Sequence, residues 1–130
     1  MRLLLLALLL ATPAFSQTPD PHSVPVIDAA LGPCTADFTV TDADAKPIYS
    51  AKVKVHIAYG FGGFHKLDLE VGTNVDGKAR FTGLPDRPKR GLFFEASDGD
   101  RTGNAFDDPV KTCQAQFTVV LRKPTTPNPQ

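Results

Sequence analysis

Apolar and polar residues alternate at every second position over most of this chain, and no stretch holds a helical period for three turns. Cys34, Ala36, Phe38 and Val40 alternate with Thr35, Asp37, Thr39 and Thr41. Ala51, Val53, Val55, Ile57 and Tyr59 face one way, while Lys52, Lys54, His56 and Ala58 face the other. Leu67, Leu69 and Val71 then alternate with Lys66, Asp68 and Glu70. Ala79 and Phe81 lie on a further strand closed by Gly83-Leu84-Pro85, and Leu92 to Ala96 is a short apolar one. Thr112 to Arg122 is the strongest, with Cys113, Ala115, Phe117, Val119 and Leu121 inward. Asp42 to Pro47, Asn74-Val-Asp-Gly77 and Asp98-Gly-Asp100 supply the turn residues between them. Six or seven short strands separated by Gly, Asp and Pro predict an all-β sandwich.

Two details bear on strand pairing. Cys34-Thr-Ala-Asp-Phe-Thr-Val40 is echoed by Cys113-Gln-Ala-Gln-Phe-Thr-Val119. If the first and last strands ran parallel and in register, the cysteines would sit level and the two Phe would share a layer; the alternative is chance similarity of composition. If Tyr59 to His65 is a tight hairpin loop, His56 falls opposite Asp68 and Lys54 opposite Glu70, pairs that cross-strand electrostatics favour.

The N-terminus changes the compartment. Met1-Arg2, the apolar run Leu3 to Ala11, and Ala14-Phe15-Ser16 after Thr12-Pro13 follow the order of a secretory signal, with cleavage expected after Ser16. The membrane-anchor alternative needs about 20 apolar residues, roughly twice this run. The chain is thus expected to be exported, periplasmic or secreted. Residues 17–33, with four prolines, are expected to be an extended leader; 34–123 the folded domain; 124–130 a Pro-rich tail. Fourteen basic residues balance fourteen acidic ones, and Arg2 leaves with the signal. This near-neutral balance without a basic run gives no electrostatic footprint for nucleic acid or an anionic membrane surface, and no membrane insertion is expected after cleavage. Cys34 and Cys113 fit an oxidising compartment and one disulfide, worth roughly 4 kcal/mol on a loop-entropy basis; two free buried thiols are the alternative.

Asp44-Ala-Lys-Pro-Ile-Tyr-Ser-Ala-Lys-Val-Lys-Val55 and Thr73-Asn-Val-Asp-Gly-Lys-Ala-Arg-Phe-Thr-Gly-Leu-Pro85 resemble the carboxypeptidase regulatory-like domain family. The resemblance spans Cys34 to Leu121 and implies a seven-stranded, antiparallel-rich, prealbumin-like or immunoglobulin-like sandwich, usually non-catalytic. Pairing of the strands around Tyr59–His65 favours the prealbumin-like variant, since an immunoglobulin topology sends them to opposite sheets. The chain departs from the family in having Ala45 where Gly is common, in its long aromatic hairpin loop and in its cysteine pair. The shared positions are structural, so no functional residue carries over.

Candidate chemistry is sparse. His22, His56 and His65 are the only histidines, and Ser16, Ser23, Ser50 and Ser97 lie in no nucleophile-elbow context, so no catalytic residue is assigned. The pairs Asp42/Asp44, Asp98/Asp100 and Asp107/Asp108 could offer oxygens to calcium, yet Asp is common in turns; no metal site or cofactor is expected. The segment that stands out is Tyr59-Gly-Phe-Gly-Gly-Phe64. Three aromatics among three glycines form a candidate docking site of Tyr59, Phe61, Phe64 and His65 for a protein or glycan partner. In the alternative, Tyr59 and Phe64 cap the core and only Phe61 is exposed. The reading is an exported, non-enzymatic binding or structural accessory domain acting through this loop and the Asp98–Asp108 loop; the alternatives are a small exported hydrolase or an inert envelope spacer.

Overall fold

The structure, a computed structural model, describes residues 10–14 and 20–125. Most of the signal-like segment and the end of the tail lie outside the described residues. No helix among the described residues is long and apolar enough to cross a membrane.

Eight strands form two four-stranded sheets: β1 (Val26–Asp28), β2 (Cys34–Thr41), β3 (Lys52–Tyr59), β4 (His65–Gly72), β5 (Lys78–Leu84), β6 (Leu92–Asp98), β7 (Arg101–Asp107) and β8 (Gln114–Val120). The first sheet runs β1-β5-β2-β8 and the second β4-β3-β6-β7. The all-β sandwich expected from the alternation is therefore present, with its inward positions forming one core. Phe38, Phe81 and Phe94 are its largest wholly buried side chains. Phe38 sits at the centre, 4.7 Å from the ring centroid of Phe94, 5.3 Å from Phe117 and 5.7 Å from Phe81.

The echoed segments are neighbours. β2 and β8 run parallel with Ala36 level with Ala115 and Phe38 level with Phe117, whose rings stack. Just before the ladder starts, Cys34 and Cys113 form the disulfide across a separation of 79 residues. In the second sheet the hairpin register places His56 opposite Asp68 and Lys54 opposite Glu70, the pairing that a tight Tyr59–His65 loop implied.

Two strands differ from expectation. Val26–Asp28, inside the expected leader, pairs in parallel with β5 at the sheet edge. The segment before it is pinned by Asn74, whose side-chain amide donates to the carbonyls of His22 and Ser23 while its Oδ1 accepts from Asp76 and Lys78 N–H. His22 Nδ1 lies 2.9 Å from Asp76 Oδ2, and that hydrogen bond and charge raise the His22 pKa. The expected Asp98–Asp108 loop is instead mostly β7, paired with β6 from Asp98↔Arg101 to Leu92↔Asp107.

The connections divide the sandwich into two ends. One carries the β3–β4 loop, the β5–β6 segment Pro85–Gly91, the β7–β8 segment Asp108–Cys113 and the disulfide. The other carries the β2–β3, β4–β5 and β6–β7 turns.

Candidate functional site

Strands β3 and β4 carry the candidate site as the tip of their hairpin. Tyr59 and His65 are the last paired residues, and their rings stack with centroids 5.3 Å apart. Tyr59 also packs against the core, so it closes the end of the sandwich. Beyond it the chain turns through a short 3-10 segment, Phe61–Gly63, with Gly60, Gly62 and Gly63 at φ values of 78°, 67° and 70°. L-residues rarely adopt this left-handed region. At Gly62 a Cβ would stand 2.8 Å from the Phe64 ring, so the missing side chain lets that ring fold across the loop.

Neither sequence alternative for this loop describes it fully. Tyr59 caps the core, but Phe61 is 94% exposed and Phe64 82% exposed. His65 is also exposed. The four residues are thus brought together, with two rings left in water.

The sequence reading missed the neighbour of this tip. A Cβ added at Gly63 would meet Lys89 Cγ at 3.4 Å, which places the β5–β6 loop against the hairpin. That loop reads Asp86-Arg-Pro-Lys-Arg90, and its Arg87, Lys89 and Arg90 side chains are exposed. The signal was present as three cations in five residues, but a neutral total charge masked it.

A second group lies on the outer face of the β4-β3-β6 sheet. Lys54, His56, Asp68, Glu70, Phe93 and Glu95 line an open depression of about 440 Å³, with His56 Nδ1 hydrogen-bonded to Asp68 Oδ1. Both partners are more than half exposed. A histidine oriented by a carboxylate is one part of a nucleophilic site, but no hydroxyl or thiol side chain is among the lining residues.

The aspartates serve local structure. Asp42 Oδ1 accepts the N–H groups of Asp44 and Lys46, and these backbone bonds, that of Lys46 foremost, lower its pKa. Asp98 pairs with Arg101 at 2.6 Å, and Asp108 accepts the N–H of Val110. Asp107 is different: it is 3% exposed, its Oδ2 has no hydrogen-bond partner among the described residues, and burial, aided by the Asp108 charge, raises its pKa. Among the described residues no group of three or more His, Cys, Asp or Glu side chains is placed to hold a metal ion.

No family model matches the chain, and no curated protein matches it. Solved structures do. A 3-chlorocatechol 1,2-dioxygenase from Rhodococcus opacus is 13% identical over 87% of this chain and 69% of its own, with a TM-score of 0.49. A catechol 1,2-dioxygenase from Acinetobacter radioresistens is 17% identical over 80% and 60%, with a TM-score of 0.46. A hydroxyquinol 1,2-dioxygenase from Pseudomonas putida is 12% identical over 85% and 65%, also at 0.46. All three are enzymes. That stands against the expectation of a non-enzymatic accessory or spacer domain, which is withdrawn. Below 20% identity and a TM-score of 0.5, the likeness assigns this chain no activity, substrate or metal, and the donor residues described above form no metal-binding group.

Proposed function

We propose that this chain is an exported, disulfide-stapled sandwich that docks on an apolar surface of another molecule through the tip of its β3–β4 hairpin. The observation that carries the reading is the exposure of Phe61 and Phe64 on one short glycine loop. Burying a Phe side chain is worth about 1.5–3 kcal/mol, a gain these two rings forgo in the isolated chain. Aromatic clusters held this way are common anchors of interfaces. Tyr59 and His65 support the tip from below. Export is supported by the apolar run Leu3–Ala11 and by the disulfide. Docking at this tip is compatible with either a catalytic or a non-catalytic chain. The sequence pattern further supports kinship with the carboxypeptidase regulatory-like domains, which names no site residue.

Photocrosslinking tests the tip. With p-benzoylphenylalanine in place of Phe61, incubation with a native envelope fraction should give specific adducts that vanish in the Phe64→Ser background. The same probe in place of Phe93, on the sheet face, should give few. No adducts at position 61, or equal yields at both positions, would overturn the reading.

A further inference from the structure

The neutral total charge of the chain conceals a local excess of positive charge at one end of the sandwich. At the hairpin end, Arg87, Lys89 and Arg90 on the β5–β6 loop, Lys66 on β4 and Lys111 before β8 are all exposed. None of these five takes part in an ion pair among the described residues. Facing them are Asp86, exposed, Asp28, exposed and engaged with Ala30 N–H, and Asp108, half-buried and engaged with Val110 N–H; Asp107 is buried. At the other end, Asp42, Asp44, Asp76, Asp98 and Asp100 are balanced by Lys46, Lys78, Arg122, Lys123 and an Arg101 already paired with Asp98. The basic end is also the aromatic end, because the Lys89 stem lies against the loop that presents Phe61 and Phe64.

We propose that this end is a docking surface for an anionic lipid bilayer, with Phe61 and Phe64 entering the interface and Arg87, Lys89, Arg90 and Lys66 contacting lipid phosphates. It rests on the reading of the tip as a docking site and names its partner. Two observations favour a lipid surface over a protein or a glycan. The rings project from a hairpin tip, 94% and 82% exposed, rather than lining the depressions on the two sheet faces or beside Lys111. A fluid headgroup layer accepts projecting rings without a shaped groove. Cations flank the rings, which matches the layering of a bilayer surface, apolar beneath and negatively charged above. Spanning is not required, since the rings reach only the boundary between headgroups and acyl chains. The proposal departs from the expectation of no electrostatic footprint for an anionic membrane surface, because the fold brings Arg87, Lys89 and Arg90 beside the tip.

Vesicle co-sedimentation of the purified chain tests this. Vesicles of phosphatidylcholine with phosphatidylglycerol should bind the chain, phosphatidylcholine alone should bind it far less, and added salt should weaken the binding. Each surface cation is worth about a fivefold change in partitioning, so Arg87→Gln/Lys89→Gln/Arg90→Gln should lose roughly a hundredfold on the anionic vesicles and little on the neutral ones. Phe61→Ser/Phe64→Ser should lose about tenfold per ring on both. All these positions are exposed, and unchanged thermal transitions will verify that the variants fold. Equal binding of wild type to the two vesicle types, or an undiminished triple variant, would overturn the proposal. Absence of vesicle binding with crosslinks persisting at position 61 would overturn the lipid partner alone and point to a protein or glycan. Absence of both would overturn the docking tip itself.

Discussion

Removing the Cys34–Cys113 bridge offers the sharpest test of how this small fold holds together. The bridge spans 79 residues and ties the start of β2 to the residue before β8. With that loop length, the chain-entropy relation gives about 4.5 kcal/mol of stabilisation through the unfolded state. Against the roughly 5–15 kcal/mol that holds typical domains together, this is a large share. Cys34 is wholly buried, so Cys34→Ala/Cys113→Ala also loses a little packing. Urea unfolding followed by far-ultraviolet circular dichroism, on wild type with and without reductant and on the double variant, measures the effect. With a urea slope near 2 kcal/mol/M, the midpoint should fall by about 2 M in both the reduced wild type and the variant. A shift below about 0.5 M in both would refute the reasoning, because β2–β8 pairing alone would then be holding the ends together.

Other perturbations address particular sites. Phe81→Ala opens a void between Phe38 and Phe94 and should cost about 3–5 kcal/mol in denaturant unfolding; a near-native transition would contradict its placement in the core. Ala45 sits at φ 61° on an exposed turn, so Ala45→Gly should stabilise by about 0.5–1 kcal/mol, the relief of left-handed strain exceeding the added unfolded-state freedom. A destabilised variant would contradict that backbone. Asp107 has a folded pKa above its unfolded one, so the native state binds more protons between the two values. Its penalty is absent at lower pH, grows as pH rises from the ordinary aspartate range, and is complete above the raised value. Asp107→Asn should therefore flatten the decline of stability across that window; an unchanged pH profile by thermal melting would count against it.

Much of the sandwich was legible because burial on one face forces period-two alternation. The echo at Cys34–Val40 and Cys113–Val119, open to chance similarity in the sequence, is a parallel ladder in which like side chains share a layer beside the disulfide. A tight Tyr59–His65 turn implied His56 opposite Asp68 and Lys54 opposite Glu70, pairs that charge complementarity favours and that the β3–β4 register shows. β7 escaped notice because its inward positions Gly103 and Ala105 are small, while Phe106 points outward. At Gly103 a Cβ would stand 2.6 Å from Val119 Cγ1, so the close approach of β8 removes the very side chain that would have announced a strand. β1 escaped because it follows Pro25, which edge strands tolerate, and pairs on one side only. At the candidate site, glycine and aromatic content identified the tip, but not which rings were covered. The cationic flank was lost to averaging: net charge carries no information on where the fold places each sign. The non-enzymatic expectation rested on missing motifs, which cannot exclude an unfamiliar site.

Solvent contact of the individual phenylalanine rings tests the account most directly. With fluorine-labelled phenylalanine, assigned by single Phe→Leu variants, a soluble paramagnetic probe should broaden Phe61 and Phe64 strongly in the free chain while leaving Phe38 and Phe81 sharp. On adding anionic vesicles, the two tip signals alone should regain protection. Tip rings shielded in the free chain, or still fully open to the probe when vesicles are bound, would contradict it.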